Sequence, residues 1–313
     1  MKPIVTLTLN PSIDGAAQTH VVRPIRKIRT SDERYDPGGG GINVARVVQE
    51  LGGTAFATYL AGGATGRVLD DLLESAAIMR RRISIDDHTR ISHAVYERSS
   101  GLEYRFVPEG PVVREAEWRA CLEALEDLDC DYLVASGSLP RGIPEDFYAI
   151  IADRADRNGF KLVLDTSGAA LRRALERGVH LVKPNLGEFE SMRGRKLPNP
   201  ALQEEAAREL VRSGAAEIVA LTLGRDGALL VSDQSVLRLA APDVTVKSAV
   251  GAGDSFVAAM TLGLARERPV ADAFAYGMAA GAAAVLSAGT GLCRREDVER
   301  LYGEIKMNLP QPR

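Results

Sequence analysis

A chain of 313 residues is long enough for one large α/β domain or two smaller ones with a buried core. Hydrophobic residues make up 45% and charged residues 26% of the sequence, which is typical of a globular enzyme. The formal net charge of −3 predicts no general attraction to nucleic acid, and no apolar stretch has the length of a membrane span. We therefore expect a cytoplasmic protein with neither nucleic-acid nor membrane partners.

Cysteine and histidine usage excludes several common metal and disulfide sites. The cysteines, Cys121, Cys130 and Cys293, are widely separated and odd in number, which supports neither a disulfide framework nor a CxxC site. The histidines show no HExxH or paired spacing. Residues 1–5 lead directly into a strand, so we expect no signal peptide.

The first part of the chain combines a strand with a glycine-rich turn. Residues 2–9 (KPIVTLTL) predict a strand, and Asp14 follows its carboxyl end, where open α/β sheets place ligand contacts. A turn-forming acid is an equal alternative for Asp14. The segment PGGGGINVAR, residues 37–46, opens a helix, and its glycines allow a close backbone approach to a ligand. Asn43 can bond hydroxyl groups there, although a merely flexible turn is the alternative.

Two segments interrupt the α/β pattern. Residues 16–36 lack helical periodicity, and residues 89–107 alternate apolar and polar side chains around a hairpin turn. Together they predict one small sheet inserted into the core. It carries three cations, Arg90, Arg105 and Lys27, which form either a solvated edge or a clamp for a substrate phosphate.

Further along, helices and strands alternate, which is typical of a doubly wound, mostly parallel sheet. The predicted strands end in Ser, Asp, Asn or Thr, at the edge where ligands bind in this architecture. After a strand at 54–60 and a helix at 68–77, the predicted helices are 115–128, 145–157, 171–177 and 201–212, and the predicted strands are 131–135, 161–164, 180–182 and 218–221, with a β pair at 227–239.

The run VGAGDSF, residues 250–256, follows a polar strand-like segment at 243–248 and opens a buried helix. Free backbone amides at a helix start form an anion site, because the amides and the helix dipole point to the same place. An acid inside such a site, Asp254, indicates a base beside an anion, as phosphoryl transfer to a hydroxyl requires. An ordinary helix with an acid in its first turn is the alternative.

The last elements are apolar or helical. Small residues in the helix predicted at 271–287 favour close helix packing over a pocket for a flat ring. A helix at 294–305 closes the fold, and 308–313 is predicted to be a loose tail. The glycine run lacks GxGxxG spacing and no glycine precedes a lysine, so neither a dinucleotide fingerprint nor a Walker A loop is present.

Four motifs together resemble the ribokinase/PfkB carbohydrate kinases, in the order and approximate separations of that family. They are PGGGGINVAR at 37–46, ASGSLP at 135–140, VKPNLGE at 182–188 and VGAGDSF at 250–256. The segments TLTLNPSID, LAGGATG and SAGTGLC resemble the PfkB-type bacterial 6-phosphofructokinases most closely. The resemblance implies a ribokinase-like α/β kinase domain over residues 1–313, with a discontinuous β-sheet lid made of residues 12–36 and 89–107.

The resemblance also implies roles for individual residues. It implies Asp254 as the general base beside an anion hole formed at Gly251, Ala252 and Gly253. The residues implied at the sugar phosphate are Asp14, Lys27, Gly38, Gly39, Asn43, Arg90, Arg105 and Ser138. Those implied at ATP are Lys183, Asn185, Thr222, Gly224, Gly227, Ala280 and Ala284, while Asn185 and Glu188 would hold Mg²⁺ through water.

The implied reaction is the ATP- and Mg²⁺-dependent phosphorylation of the 1-hydroxyl of fructose 6-phosphate, a step of glycolysis. Gly40 favours this sugar, because relatives acting on fructose 1-phosphate or tagatose 6-phosphate usually have lysine there. Ser92 and Gly291 depart from the asparagine and arginine expected in the close relatives. The alternatives are therefore tagatose-6-phosphate kinase, 1-phosphofructokinase and, from another class, a non-catalytic sugar-phosphate sensor. A homodimer through the lid is implied, and K⁺ binding is left open.

Overall fold

The computed structural model describes residues 1–307, and the tail predicted at 308–313 lies outside the described residues. The strands of this part are β1 (Ile4–Thr8), β2 (Ser12–Thr19), β3 (Ser31–Gly38), β4 (Ala55–Gly62), β5 (Met79–Ile85), β6 (Arg90–Glu97), β7 (Leu102–Phe106), β8 (Tyr132–Ser136), β9 (Lys161–Asp165), β10 (Val179–Val182), β11 (Ala216–Thr222), β12 (Ala228–Ser232) and β13 (Val236–Leu239). The α-helices are α1 (Gly40–Glu50), α2 (Gly63–Ser75), α3 (Glu115–Ala124), α4 (Phe147–Asn158), α5 (Gly168–Leu175), α6 (Leu186–Arg193), α7 (Pro200–Arg212), α8 (Ala252–Ala265), α9 (Val270–Ala284) and α10 (Arg295–Lys306).

A nine-stranded sheet in the order β13-β12-β11-β10-β9-β8-β1-β4-β5 forms the centre of the fold. The pairs from β11 to β5 are parallel, and β12 and β13 add an antiparallel edge. This confirms the predicted doubly wound, mostly parallel architecture. Because parallel strands end at the same side, the residues that follow β1, β8, β9 and β10 meet along one edge of the sheet.

Helices cover both faces of this sheet, which explains why its central strands β1 and β8 are buried along their whole length. In β8, Val134 belongs to the cluster formed with α1, α2, α8, α9 and α10, whereas Leu133 and Ala135 face the cluster formed with α3 to α7. Alternate residues of one strand thus enter opposite cores. Within residues 1–307, no helix combines the length and hydropathy needed to cross a bilayer.

A second, four-stranded sheet in the order β3-β2-β6-β7 lies apart from the large one. Strands β2 and β6 are parallel, and the other two pairs are antiparallel. The chain enters this sheet directly after β1 and returns from β3 into α1, and it enters again after β5. The small inserted sheet that was predicted is therefore present, built on connections at the carboxyl edge of the large sheet.

Three elements differ from the sequence prediction. Strand β5 was missed because MRRRISI is polar; its arginines are paired, for example Arg82 with Asp70 and with the Ala61 carbonyl. Helix α6 was also missed. The strand predicted at 243–248 is wrong: the segment has no regular structure, and the amides of Lys247 and Ser248 both donate to the Val285 carbonyl, at 2.8 and 3.4 Å. Alternating valines form a strand only where a neighbouring strand pairs with them.

Candidate functional site

The start of α8 presents free backbone amides. Gly251 is the N-cap residue in a left-handed conformation, with φ of 71°. The first hydrogen bond of the helix runs from the Ser255 amide to the Gly251 carbonyl at 2.8 Å. The amides of Ala252, Gly253 and Asp254 therefore have no partner within the helix. Together with the helix dipole they form a site suited to an anion.

The Asp254 carboxylate is held at this helix start by two side chains from distant parts of the chain. Asn43 Nδ2 donates to Asp254 Oδ2 at 2.9 Å, and Ser136 Oγ donates to Oδ1 at 3.5 Å. Burial, with a contribution from Asp165, raises the pKa of Asp254 to about 6, while the two hydrogen bonds and the charge of Lys183 act against the rise. The group is thus ionised at neutral pH and basic enough to accept a proton.

A buried cation lies beside the same amides. Lys183, at 5% exposure, follows the end of β10, and its Nζ is 3.2 Å from Asp165 Oδ1. Burial alone lowers the pKa of Lys183, but the carboxylates around it, Asp165 first, raise it overall, so the amine stays charged. A Cβ placed on Gly253 would be 3.2 Å from Lys183 Nζ. Amides and ammonium group therefore converge on one place, as phosphate binding requires.

Asn185 and Glu188 form a capping box at the start of α6. The Glu188 amide donates to Asn185 Oδ1 at 2.9 Å, and the Asn185 amide donates to Glu188 Oε2 at 2.8 Å. This pattern is a helix start signal as well as the family motif, and it explains why α6 begins here. Burial raises the pKa of Glu188.

The donor set at this end of the sheet suits a hard cation that keeps most of its water. Within residues 1–307, no group of three or more His, Cys, Asp or Glu side chains could hold a metal ion directly. Glu188 and Asp165 supply carboxylate oxygens close enough to influence each other's charge. Mg²⁺ prefers one or two carboxylates supplemented by water and substrate phosphates, so the residues fit Mg²⁺ held largely through water.

The four-glycine run packs α1 against the ends of two strands. A Cβ at Gly38 would overlap the Asp14 carboxylate, and one at Gly40 would overlap Ser136 Oγ and lie 2.9 Å from the Ser136 carbonyl carbon. Gly39 is the N-cap residue of α1 with φ of 107°. These close approaches require glycine, whereas a flexible turn would not.

The small sheet lines most of a small cavity next to the start of α8. Asp14 accepts a hydrogen bond from Ser12 Oγ at 2.5 Å. Asp14, Ser92 and Arg105 line one cavity with Val250, the residue before Gly251. Burial raises the pKa of Asp14, and Ser12 and the nearby arginines oppose the rise.

Arg90 and Ser138 reach the same region through Asn10. Arg90 donates to the Pro108 carbonyl at 2.9 Å and to the Asn10 carbonyl at 2.8 Å, and Asn10 Nδ2 lies 3.3 Å from Ser138 Oγ. Arg90 Nε is buried without a partner in the described part of the chain. Lys27 does not join them: it is exposed between β2 and β3, and no recorded contact within residues 1–307 links it to the other predicted phosphate ligands.

Part of the predicted nucleotide site lies along the same edge. Thr222 pairs with Asn185 across a β-bridge, and Gly224 has φ of 61° with open space around it. At Gly227, φ is 98° and a Cβ would overlap the Leu239 carbonyl, so its role in the structure is a turn. Ala280 and Ala284 need correction: both are 0% exposed in the core between α8 and α9, so their side chains face no open site. Close helix packing, which the sequence analysis favoured for the small residues of this helix, explains why alanine occupies both positions.

Sequence reasoning missed three residues that the structure places in the site. Ser136 and Asp165 end β8 and β9, and both surround Asp254. Their position at strand ends was the available signal. Arg46, on α1, lies 3.4 Å from Asn43 Oδ1 through its NH1, and the spacing of three residues on a predicted helix was the available signal.

An acid held beside free helix amides and a buried lysine, at the carboxyl edge of a doubly wound sheet, defines a phosphotransferase acting on a hydroxyl. A family model described as pfkB family carbohydrate kinase matches residues 8–297. The chain belongs to the pfkB family of carbohydrate kinases, which confirms the resemblance carried by the four motifs.

Similar proteins are phosphofructokinases. The ATP-dependent 6-phosphofructokinase isozyme 2 of Mycobacterium tuberculosis (strain H37Rv) is 44% identical over 301 residues, covering 96% of this chain and 88% of that protein. The enzyme of the same description from Escherichia coli K12 is 40% identical and covers 96% and 98%. A crystal structure of Escherichia coli phosphofructokinase-2 in complex with fructose-6-phosphate has a TM-score of 0.93 at 39% identity, covering 98% of this chain and 100% of that chain. At 31% identity, the 1-phosphofructokinase of Bacillus subtilis covers 97% and 99%.

The packing at Gly40 predicts that alanine there lowers activity in a folded protein. The new Cβ would push α1 away from Ser136, displacing Asn43 and hence Asp254. We expect kcat/KM to fall on the order of 10²-fold, as small displacements of reacting groups do. Gly303→Ala is the matched control, because nothing lies within 4 Å of its Cβ. Unchanged kinetics of Gly40→Ala, measured with circular dichroism showing a native fold, would contradict the packing argument.

Proposed function

We propose that this protein is an ATP-dependent 6-phosphofructokinase, which phosphorylates the 1-hydroxyl of fructose 6-phosphate to give fructose 1,6-bisphosphate. The observation that carries the proposal is the position of Asp254 at the free amides that begin α8, where Asn43 and Ser136 hold its carboxylate. Its relatives at 40–44% identity are 6-phosphofructokinases. ATP and sugar phosphates are cytoplasmic metabolites, and on that ground we place the enzyme in the cytoplasm.

In the proposed reaction Asp254 is the general base. Its carboxylate takes the proton of the sugar 1-hydroxyl while that oxygen forms a bond to the γ-phosphorus of ATP. The bond from this phosphorus to the oxygen bridging the β- and γ-phosphates breaks, and ADP leaves. The amides of Ala252, Gly253 and Asp254, with the Lys183 ammonium group, would stabilise the negative charge of the transferring phosphoryl group in the transition state.

We further propose that the edge near Lys183 binds the nucleotide. Asn185, Thr222 and Gly224 lie together there, with Glu188 at the start of α6. Glu188 and Asn185 would hold Mg²⁺ through water, and bound Mg²⁺ supplies positive charge that neutralises the phosphate oxygens. Comparing activity in K⁺ and Na⁺ buffers will decide whether a monovalent cation is also required.

The sugar phosphate would lie between α1 and the small sheet. Asp14 and Asn43, with the Gly38 and Gly39 backbone, would accept and donate hydrogen bonds to its hydroxyls. Its phosphate would be bound by Arg90, Arg105 and Ser138. Arg105 lines the small-sheet cavity, and Arg90 and Ser138 both contact Asn10. In this geometry the small sheet, made of residues 12–36 and 89–107, would serve as a lid over the sugar phosphate.

Gly40 supports fructose 6-phosphate over the sugars of the lysine-containing relatives. A Cβ at Gly40 would overlap Ser136 Oγ, and glycine leaves this start of α1 without a side chain. The sugar can therefore approach α1 without meeting a lysine. Tagatose-6-phosphate kinase and 1-phosphofructokinase activities remain the alternatives within the family.

A panel of sugar phosphates tests the proposal directly. Fructose 6-phosphate, fructose 1-phosphate and tagatose 6-phosphate are each offered with ATP and Mg²⁺, and ADP release is followed by a coupled assay. We expect the largest kcat/KM with fructose 6-phosphate. A preference for another sugar would replace the substrate and keep the chemistry, whereas calorimetric binding of all ligands without turnover would support the sugar-phosphate sensor.

The raised pKa of Asp254 predicts a pH dependence. Because the pKa is about 6, the base becomes protonated as the pH falls through 6, and kcat/KM should decrease there. Asp254→Asn should lower kcat about 10²–10⁴-fold and abolish this acidic limb. Asp153→Asn, an exposed acid on α4, is the matched control and should leave the profile unchanged. If Asp254→Asn stays within tenfold of the parent, the base has been assigned to the wrong residue.

We propose that two copies associate through the small sheet. Large apolar side chains are exposed on it, including Phe106 and Leu102 at 58% and Tyr35 at 50%. An exposed apolar sheet face is otherwise an aggregation hazard, so a second copy is a reasonable cover for it.

Phe106→Glu should disrupt this association. A charge placed in an apolar interface loses its water, so sedimentation should show a smaller species at micromolar concentration. Val68→Glu changes an apolar residue exposed on α2 and serves as the control. An unchanged oligomer in Phe106→Glu, with Val68→Glu also unchanged, would place the interface elsewhere.

A further inference from the structure

A network of polar side chains connects the small sheet and the loop after α9 to the base. On β3, Asp36 accepts a hydrogen bond from Thr290 Oγ1 at 2.6 Å and pairs with Arg34 Nε at 2.9 Å. Arg34 NH2 also donates to Thr290 Oγ1 at 3.1 Å, which closes a triangle. Thr290 is 6% exposed and the Asp36 side chain 19%, whereas the Arg34 side chain is 52% exposed, so the triangle is buried on its Thr290 side.

The triangle holds one end of Arg46. The NH2 group of Arg46 is 3.4 Å from Asp36 Oδ1, and NH1 donates to the Pro37 carbonyl at 2.9 Å. NH1 also lies 3.4 Å from Asn43 Oδ1. The guanidinium group is thus placed between an acid of the small sheet and the amide that contacts Asp254.

The Asn43 amide has two possible orientations, and its neighbours allow one of them. Arg46 carries only donors, so the atom facing it must be the amide oxygen. The amide nitrogen then faces Asp254 and donates to Oδ2 at 2.9 Å. The reversed amide would set donor against donor at Arg46 and oxygen against carboxylate at Asp254.

We propose that Arg46 is a positioning residue for the base and acts through the amide of Asn43. Asp36 and Thr290 keep the guanidinium group in place. The positions of the small sheet and of the loop after α9 therefore affect the orientation of the Asp254 carboxylate. The inference rests on the proposed function only in naming Asp254 as the base. The orientation of the amide is a property of the folded chain and can be measured without catalysis.

The first measurement is the ionisation of Asp254 by ¹³C NMR of protein labelled at aspartate Cγ. The Asp254 signal is identified by its absence in Asp254→Asn. The groups facing this carboxylate are Asn43, Ser136, Lys183 and Asp165. Losing the hydrogen bond from Asn43 should move the titration midpoint of Asp254 upward by about one pH unit, since that bond favours the charged carboxylate.

Arg46→Met, Asn43→Ala and the double variant form a thermodynamic cycle. If Arg46 acts through Asn43, each single variant moves the midpoint upward, and the double variant moves it no further than Asn43→Ala alone. Additive shifts would overturn the proposal, because they would show that Arg46 acts on Asp254 by a separate route. An unmoved midpoint in folded Arg46→Met would overturn it as well.

Two variants extend the test if Arg46→Met does not fold. Thr290→Val keeps the shape of the side chain and removes its hydroxyl. We expect the Asp254 midpoint to move upward here too, by less than about one pH unit. Arg46→Lys keeps the charge but cannot contact Asp36, Pro37 and Asn43 together, so it should restore little of the parent midpoint. A full return to the parent value in Arg46→Lys would mean that charge, and not orientation, is what matters.

The pH–rate profile separates this inference from the proposed function. With fructose 6-phosphate and ATP, the acidic limb of kcat/KM should move upward with the NMR midpoint, while KM for ATP changes less than about twofold. Arg208→Met, an exposed arginine on α7, is the control and should change neither. If the midpoint moves but the parent shows no turnover, the proposed function fails and the positioning role stands. If the parent is active and neither quantity moves, the positioning role fails.

Discussion

One carboxylate placed where a negative charge costs the most energy organises the site of this protein. Burial alone disfavours the ionised form of Asp254, and the nearby Asp165 adds repulsion. The helix amides, Asn43, Ser136 and Lys183 act in the opposite direction. The balance leaves the group ionised at neutral pH and still a usable base. Each of these partners comes from a different element, so the ionisation of one side chain depends on the assembly of the whole sheet edge.

The architecture explains how such distant partners meet. Parallel strands end at one edge of the sheet, where Ser136 at the end of β8, Asp165 at the end of β9 and Lys183 just after β10 lie close together. The glycines that begin α1 and α8 let two helix starts approach the same edge without side chains in between. Backbone amides supply the anion site there. The chemistry is therefore built from strand ends and helix starts, which are the rigid parts of the fold.

The sequence predicted the fold well because the alternation of apolar strands and helices is a local signal. It failed at β5, where arginines paired with neighbouring acids hide an edge strand, and at 243–248, where alternating valines have no strand beside them. Asp254 and Asn43 were predicted in the candidate site because glycine runs mark close approaches, and Asp14 because it follows the carboxyl end of a strand. Contacts such as Asp36 with Thr290 join residues far apart in the chain, and no local pattern encodes them. Ala280 and Ala284 show the converse: small residues alone do not distinguish a ligand pocket from helix packing.

The small sheet has two faces with different consequences for the reaction. Its inner face carries Asp14, Arg105 and Asp36 toward the core, and its exposed apolar residues, Phe106 among them, point to a second copy. A lid that is itself part of an interface cannot move independently of its partner. The contact of Asp36 with Arg46 and Thr290 then joins that interface to the base by a short chain of hydrogen bonds. In the proposed dimer, strand β3 would link the association of two copies to the orientation of Asp254.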